Sequence, residues 1–187
     1  MRVIAGAARG RVLAAPKGLH TRPTPGRVKE ALFSILGAAV LDATVLDLFA
    51  GTGALGLEAL SRGAARAVFV DKDRRALAAL HRNTEVVAPD RVEVLAMPAA
   101  HALRLLKGRN ARFDLAFLDP PYHLDLLPET LKALAQSGIL RIGGIVVCEH
   151  HGRSAPPEPP ADWQLETTRR YGDVAVTILK MEKGEPS

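Results

Sequence analysis

The sequence predicts an α/β fold: a mostly parallel, seven-stranded sheet with helices on both faces, a C-terminal antiparallel hairpin, and a small N-terminal β-hairpin and helix extension. Three observations predict it. From residue 44 onward, short apolar runs alternate with segments of helical period over short connections, the pattern of parallel strands covered on both faces. A glycine-rich stretch, Gly51-Thr52-Gly53-Ala54-Leu55-Gly56, follows the first run directly and opens the first helix after it. After residue 160 the alternation gives way to two strand-like runs joined through Tyr171-Gly172-Asp173, as in a terminal antiparallel hairpin.

In chain order, Val3-Ile4-Ala5 and Val12-Leu13-Ala14 flank Gly6-Ala7-Ala8-Arg9-Gly10 and predict a hairpin. His20-Thr21-Arg22-Pro23-Thr24-Pro25 excludes a helix, because the residue before a proline is pushed toward extended geometry. Thr24 and Pro25 then read as an N-cap and first-turn pair. Val28, Ala31, Leu32 and Ile35 recur at helical spacing until Gly37 ends the helix. Strands are predicted over 45–49, 67–70, 92–95, 113–118 and 145–148, with intervening helices over 54–61, 74–83, 100–106 and 126–136. A proline-rich loop over 154–160 precedes hairpin strands at 163–166 and 174–179, and residues 183–187 are expected to fray. This divides the chain into a basic extension, 1–38, and an α/β domain, 39–187.

With 187 residues, 48% of them hydrophobic, the chain can bury one sizeable core. A single cysteine, Cys148, excludes an internal disulfide, and its apolar context reads as a small buried residue. No apolar run is long enough to span a bilayer and no signal-peptide core precedes residue 30, so a cytoplasmic monomer is expected. The histidines have no zinc-ligand spacing, and no metal is expected. The net charge of +5 is unevenly placed. Seven basic residues (Arg2, Arg9, Arg11, Lys17, Arg22, Arg27, Lys29) and no acidic one precede Glu30. A basic segment on a nearly neutral body is the electrostatic footprint of a nucleic-acid binder.

Asp119-Pro120-Pro121-Tyr122 follows the apolar run 113–118, at the carboxyl end of a buried strand. The prolines fix φ and carry no N–H, so nearby carbonyls accept hydrogen bonds without competing amide donors. Asp119 adds a charged acceptor and Tyr122 a flat face for stacking. Two acceptors beside a stacking face suit an amino group on a nucleobase; His123, next to Tyr122, either lines that pocket or lies on the loop surface. The glycine loop fits G-x-G-x-x-G, and Asp71 ends the second strand 20 residues after Gly51, where it can accept ribose hydroxyls. These two features alone also describe an NAD site. Asp47, inside the first strand, favours a ligand with an ammonium group over a pyrophosphate, and the loop itself carries no basic residue. S-adenosylmethionine is the better match.

Asp47-Leu48-Phe49-Ala50-Gly51-Thr52-Gly53, Asp71 and Asp119-Pro120-Pro121-Tyr122, in that order, resemble the class I amino-methyltransferases of nucleobases. With the basic hairpin, Arg22-Pro23-Thr24, Arg27-Val28-Lys29-Glu30-Ala31-Leu32-Phe33 and the C-terminal hairpin, the chain resembles the RsmD family nearly end to end. The resemblance implies a Rossmann-like fold and methyl transfer to guanine N2 of 16S ribosomal RNA, naked or in the small ribosomal subunit. Adenine-N6 methylation of DNA or RNA is the alternative. It implies that Asp119, Pro120, Pro121 and Tyr122 are catalytic. Asp47, Phe49, Gly51, Gly53, Asp71, Lys72, Ala99 and Thr24 would hold the cofactor, and Arg9, Arg11, Arg22 and Arg27 the RNA. Such enzymes commonly present an Asp or Asn to the adenine amino group after the third strand. This chain has Met97-Pro98-Ala99 there, leaving the Ala99 N–H to meet a ring nitrogen.

Overall fold

The computed structural model describes residues 1–15, 25–122 and 126–182. Helix α1 (Gly26–Leu36) and a 3₁₀ turn (Gly37–Val40) lead into β1 (Thr44–Asp47). There follow α2 (Ala54–Ser61), β2 (Arg66–Asp71), α3 (Arg74–Val87), β3 (Val92–Ala96), α4 (Ala99–Gly108), β4 (Phe113–Leu118) and α5 (Leu127–Ser137). Strands β5 (Leu140–His151), β6 (Trp163–Tyr171) and β7 (Val174–Met181) complete one sheet in the order β3-β2-β1-β4-β5-β7-β6. The first five are parallel, and β7 inserts antiparallel between β5 and β6.

Strand alternation divides the core into two layers. Val45, Phe69, Leu115, Phe117 and Val147 pack with side chains of α1, α2 and α3. Leu46, Leu48, Val68, Val70, Ala116, Leu118 and Cys148 pack with Leu103, Leu106, Leu131 and Leu134 of α4 and α5. Cys148 is fully buried, and burial pushes its thiol up to about 12, so it is an inert packing residue. The α2 layer rests on close contact. A Cβ added at Gly56 would lie 2.3 Å from the Phe69 ring. Gly56→Ala is therefore expected to cost about 1–3 kcal/mol by overpacking. Urea unfolding checks this, and an unchanged midpoint would mean that α2 can slide off β2.

Several bounds differ from the sequence expectation. Strand β5 runs to His151 instead of 148, because Ile145 to His151 pair continuously with Lys180 to Val174 of β7. An antiparallel partner sets that length, and the polar residues Glu149, His150 and His151 hide it from the hydrophobic pattern. On α1 the buried face is Val28, Lys29, Leu32, Phe33 and Leu36, whereas Ile35 of the expected stripe is 44% exposed. The N-cap expected at Thr24 lies outside the described residues, and Pro25 stands at the cap position without a side-chain bond.

The N-terminal hairpin is shorter than the two expected strands. Only Arg2 and Val12 form a β-bridge, supported by Val3 N–H to Arg11 O and Leu13 N–H to Met1 O. The Gly10, Arg9 and Arg11 amides close the turn on the Val3, Gly6 and Ala8 carbonyls, and other donors go to the α/β layer. The Ile4 and Ala5 amides donate to the Glu58 carboxylate at 2.8 and 3.0 Å, and the Ala7 and Ala8 amides donate to Ser61. Ala14 exchanges both backbone bonds with the Asn83 side chain. Val3 and Leu13 enter the same core cluster as Leu57 and Phe69.

Candidate active site at the carboxyl edge of the sheet

Strand order reverses between β1 and β4, since β1 continues to β2 and β3 on one side and β4 to β5 on the other. The crevice above such a switch point is where open α/β sheets take their ligands. Asp47 ends β1 in register with Phe117, and Asp119 lies two residues after Phe117, just past the end of β4. Leu118 pairs with Cys148, so the next residues, Asp119 and Glu149, stand side by side. Asp71 ends β2, and Met97-Pro98-Ala99 follows β3 into α4.

The glycine loop is shaped by backbone angles that only glycine adopts without strain. Gly53 caps α2 at φ +82°, and a Cβ there would approach Leu80 Cδ1 to 2.6 Å. Gly51 has φ +54° with open space where its side chain would be. Its N–H donates to Asp71 Oδ2 at 2.7 Å, and Asp71 Oδ1 accepts from the Asp73 N–H. Asp71 therefore braces the loop from the second strand. Asp47 does so from the first, accepting from the Gly56 N–H at 3.1 Å.

Crowding negative charge here has a cost. Burial pushes the Asp47 carboxyl up to about 7, the Asp71 charge adds to this, and N–H bonds from Gly56 and Phe49 oppose it. Asp119 keeps some exposed surface, yet its carboxyl is also pushed up, first by burial and then by the charges of Glu149 and Asp47. For Asp47 the folded state keeps a proton that the unfolded chain releases above about pH 4. Its contribution is full below that value and lost as pH rises through 7. Stability of the ligand-free Asp47→Asn variant is expected to fall less than wild type between pH 4 and 7. Parallel unfolding curves across that range would show that Asp47 is not the group titrating.

Of the residues expected at the site, the structure brings Asp47, Gly51, Gly53, Asp71, Asp119 and Pro120 to one edge. Phe49, Met97 and Ala99 are partly buried against the α4–α5 core cluster, and Lys72 is exposed beside Asp71. Pro121 is exposed and Tyr122 is 38% exposed. Tyr122, expected as a stacking face, is anchored: its hydroxyl donates to Glu149 at 2.9 Å, and its ring and that of His151 make a T-shaped contact at 6.1 Å. Arg9, Arg11 and Arg27 are exposed, while Thr24, Arg22 and His123 lie outside the described residues. Lys29, counted within the basic segment, is withdrawn from that surface. It is 1% exposed and paired with Glu58 at 3.2 Å.

Glu149 is the residue that sequence reasoning missed. It is 3% exposed and lines a small cavity of about 100 Å³ with Pro120, Pro121, Tyr122, His151 and Pro157. An acid directly after an apolar run and before two histidines is the signal the sequence offers. A larger cleft, about 540 Å³, opens at the opposite edge among Arg66, Arg91, Arg109, Arg112 and Arg141. Two of these arginines are ion-paired, Arg109 with Glu93 and Arg141 with Asp114. Among the described residues, no group of three or more His, Cys, Asp or Glu is placed to hold a metal ion, and no helix is long and apolar enough to cross a membrane.

The family model described as "Conserved hypothetical protein 95" matches residues 1–180. Ribosomal RNA small subunit methyltransferase D of Escherichia coli (strain K12) is 36% identical, over 97% of this chain and 90% of that protein. The Haemophilus influenzae protein of the same name is 32% identical, over 96% and 93%. Among solved structures, a candidate methyltransferase of Escherichia coli superposes with a TM-score of 0.86 at 37% identity, covering 97% of this chain and 98% of that one. A Thermus thermophilus protein gives 0.83 at 35%, covering 98% and 99%. The match extends from the N-terminal hairpin through the terminal strand pair, and this protein belongs to the RsmD family, with the class I methyltransferase fold.

Proposed function

We propose that this protein transfers a methyl group from S-adenosylmethionine to the exocyclic N2 of a guanine in 16S ribosomal RNA of the small subunit. The observation that carries the proposal is the placement of Asp119 and the Pro120 carbonyl at the switch point, beside Asp47 and the glycine loop. The names of the Escherichia coli and Haemophilus influenzae relatives supply the class of RNA.

The residues suit the cofactor. Carboxylates at Asp47 and Asp71 complement a ligand bearing ammonium, sulfonium and a vicinal diol, and the open space at Gly51 lets the backbone approach it closely. In this reading Asp47 and the loop amides hold the methionine part, Asp71 the ribose, and Phe49, Met97 and Ala99 the adenine. When bound, S-adenosylmethionine supplies an electrophilic methyl group.

The chain's own contribution is to orient the amine. The guanine N2 lone pair is delocalised into the ring and is a poor nucleophile. Asp119 and the Pro120 carbonyl each accept one N–H, leaving the lone pair aimed outward. Their negative ends are fixed before the reaction and stabilise the positive charge that develops on nitrogen, an effect of about 3–4 kcal/mol for one well-placed group. Removal of the proton beforehand is unnecessary, because the methylated ammonium is strongly acidic. The target base must be unstacked to reach the shelf.

Incubating small-subunit ribosomal RNA, naked and as subunits, with methyl-labelled cofactor and digesting it to nucleosides tests the function. N2-methylguanosine is expected. Label in N6-methyladenosine would replace the proposal with the adenine alternative.

RNA contact is assigned to the exposed Arg9 and Arg11 of the hairpin and to Arg27, with Arg22 beside them in sequence. Arg9→Ala with Arg11→Ala is expected to weaken RNA binding and lower the log–log salt slope by about 0.7–0.9 per lost phosphate contact. S-adenosylhomocysteine affinity should stay constant. A wild-type salt slope in the double variant would remove the hairpin from the RNA surface.

A further inference from the structure

We infer that Glu149 reads the N1–H of the target base and thereby selects guanine over adenine, a deepening that rests on the guanine-N2 reading above. The mechanism at Asp119 and Pro120 makes no use of Glu149, yet a carboxylate is buried to 3% exposure beside them. Burying a carboxylate is costly unless it is hydrogen-bonded or paired. The Tyr122 hydroxyl donates to Glu149 Oε1 at 2.9 Å and holds the carboxylate in place. The register places Glu149 next to Asp119, and the small cavity bounded by Pro120, Pro121, Tyr122 and His151 opens onto it.

When both are ionised, the two neighbouring carboxylates form an acceptor–acceptor face, although each raises the cost of ionising the other. Guanine presents the complement: N1–H beside the N2 amino group, donors throughout. Adenine presents an amino group beside N1, which is an acceptor, so its lone pair would point at the Glu149 carboxylate. A site built to hydrogen-bond a donor strongly rejects an analogue that lacks it, because its buried polar group is left unmatched. The Tyr122 hydroxyl and the edge-on His151 contact hold Glu149 and the shelf in one arrangement. Tyr122 is thus a positioning residue for Glu149 as well as a wall of the pocket.

The test uses 2-aminopurine, which keeps the 2-amino group and lacks N1–H. After the methylated position has been mapped, small-subunit RNA is prepared by ligation with guanine or 2-aminopurine at that position and offered naked and in reconstituted subunits. Wild type is expected to methylate guanine at least ~100-fold faster than 2-aminopurine. In Glu149→Gln the amide still accepts from Tyr122 and offers an N–H to an unprotonated ring nitrogen. The preference is expected to fall to within a few fold or to reverse, with S-adenosylhomocysteine affinity unchanged. Tyr122→Phe is expected to slow both substrates by a similar factor and keep the preference. Equal wild-type rates on the two bases would overturn the inference even if Glu149→Gln failed to fold. So would a Glu149→Gln variant that loses activity on both bases equally, which is the mark of a purely structural carboxylate. A wild-type enzyme that leaves guanine N2 unmodified in natural RNA defeats the underlying reading instead.

Discussion

Methyl transfer by the Asp119→Ala variant is expected to fall by about 10²–10³-fold, the usual consequence of removing one preorganised group that stabilises developing charge. Cofactor affinity should change by no more than a few fold, because the proposed action of Asp119 is on the target amine. Stability gives an independent check. The carboxyl of Asp119 is held above its ordinary range by burial and by the charges of Glu149 and Asp47. Its ionisation therefore opposes folding, and the alanine variant should unfold at or above the wild-type midpoint near neutral pH. Lost activity with undiminished stability is the pattern of a site that keeps a strained charge for function. Near-normal turnover in single-turnover assays would refute the proposed orientation of the lone pair. A large drop in stability would mean that Asp119 is a structural residue.

The second large effect is expected far from the chemistry, at Glu58. This fully buried carboxylate accepts from the Ile4 and Ala5 amides, from Lys29 Nζ at 3.2 Å and from Arg62 Nε at 2.9 Å. Burial lowers the Lys29 pKa and the Glu58 charge opposes that shift. Glu58→Ala would strand a cation that is 1% exposed together with two amides, and breaking a buried pair in this way costs about 3–5 kcal/mol. The hairpin should also loosen, with faster amide exchange at Ile4 and Ala5 than at Val45 in β1. Glu58→Gln retains an acceptor and should lose less. A loss under about 1 kcal/mol for Glu58→Ala would place this cluster among ordinary surface pairs, for which that is the measured range.

Much of the fold was legible because its signals are local. Strand–helix alternation follows from side-chain period and needs no knowledge of partners. The positions of Gly51 and Gly53 follow from backbone angles that other residues resist, and the two prolines after Asp119 announce a rigid end to a buried strand. Asp47, Asp71 and Asp119 could be placed on one edge because parallel strands all end on the same side.

What the sequence determined by itself was therefore the layered α/β architecture, the loop and the shelf, each a consequence of chemistry within a few residues. The tertiary structure alone decided which distant groups meet. The length of β5, and with it the position of Glu149, depends on pairing with β7, which the hydrophobic run ending at Cys148 does not record. Glu149 lies 27 residues from Tyr122, and Glu58 lies 54 from Ile4. Lys29 reads as one more charge in a basic segment until α1 and α2 enclose it. Buried carboxylates and cations take their roles from the partner that balances their desolvation, and that partner is chosen by packing across the sheet, not by neighbours along the chain.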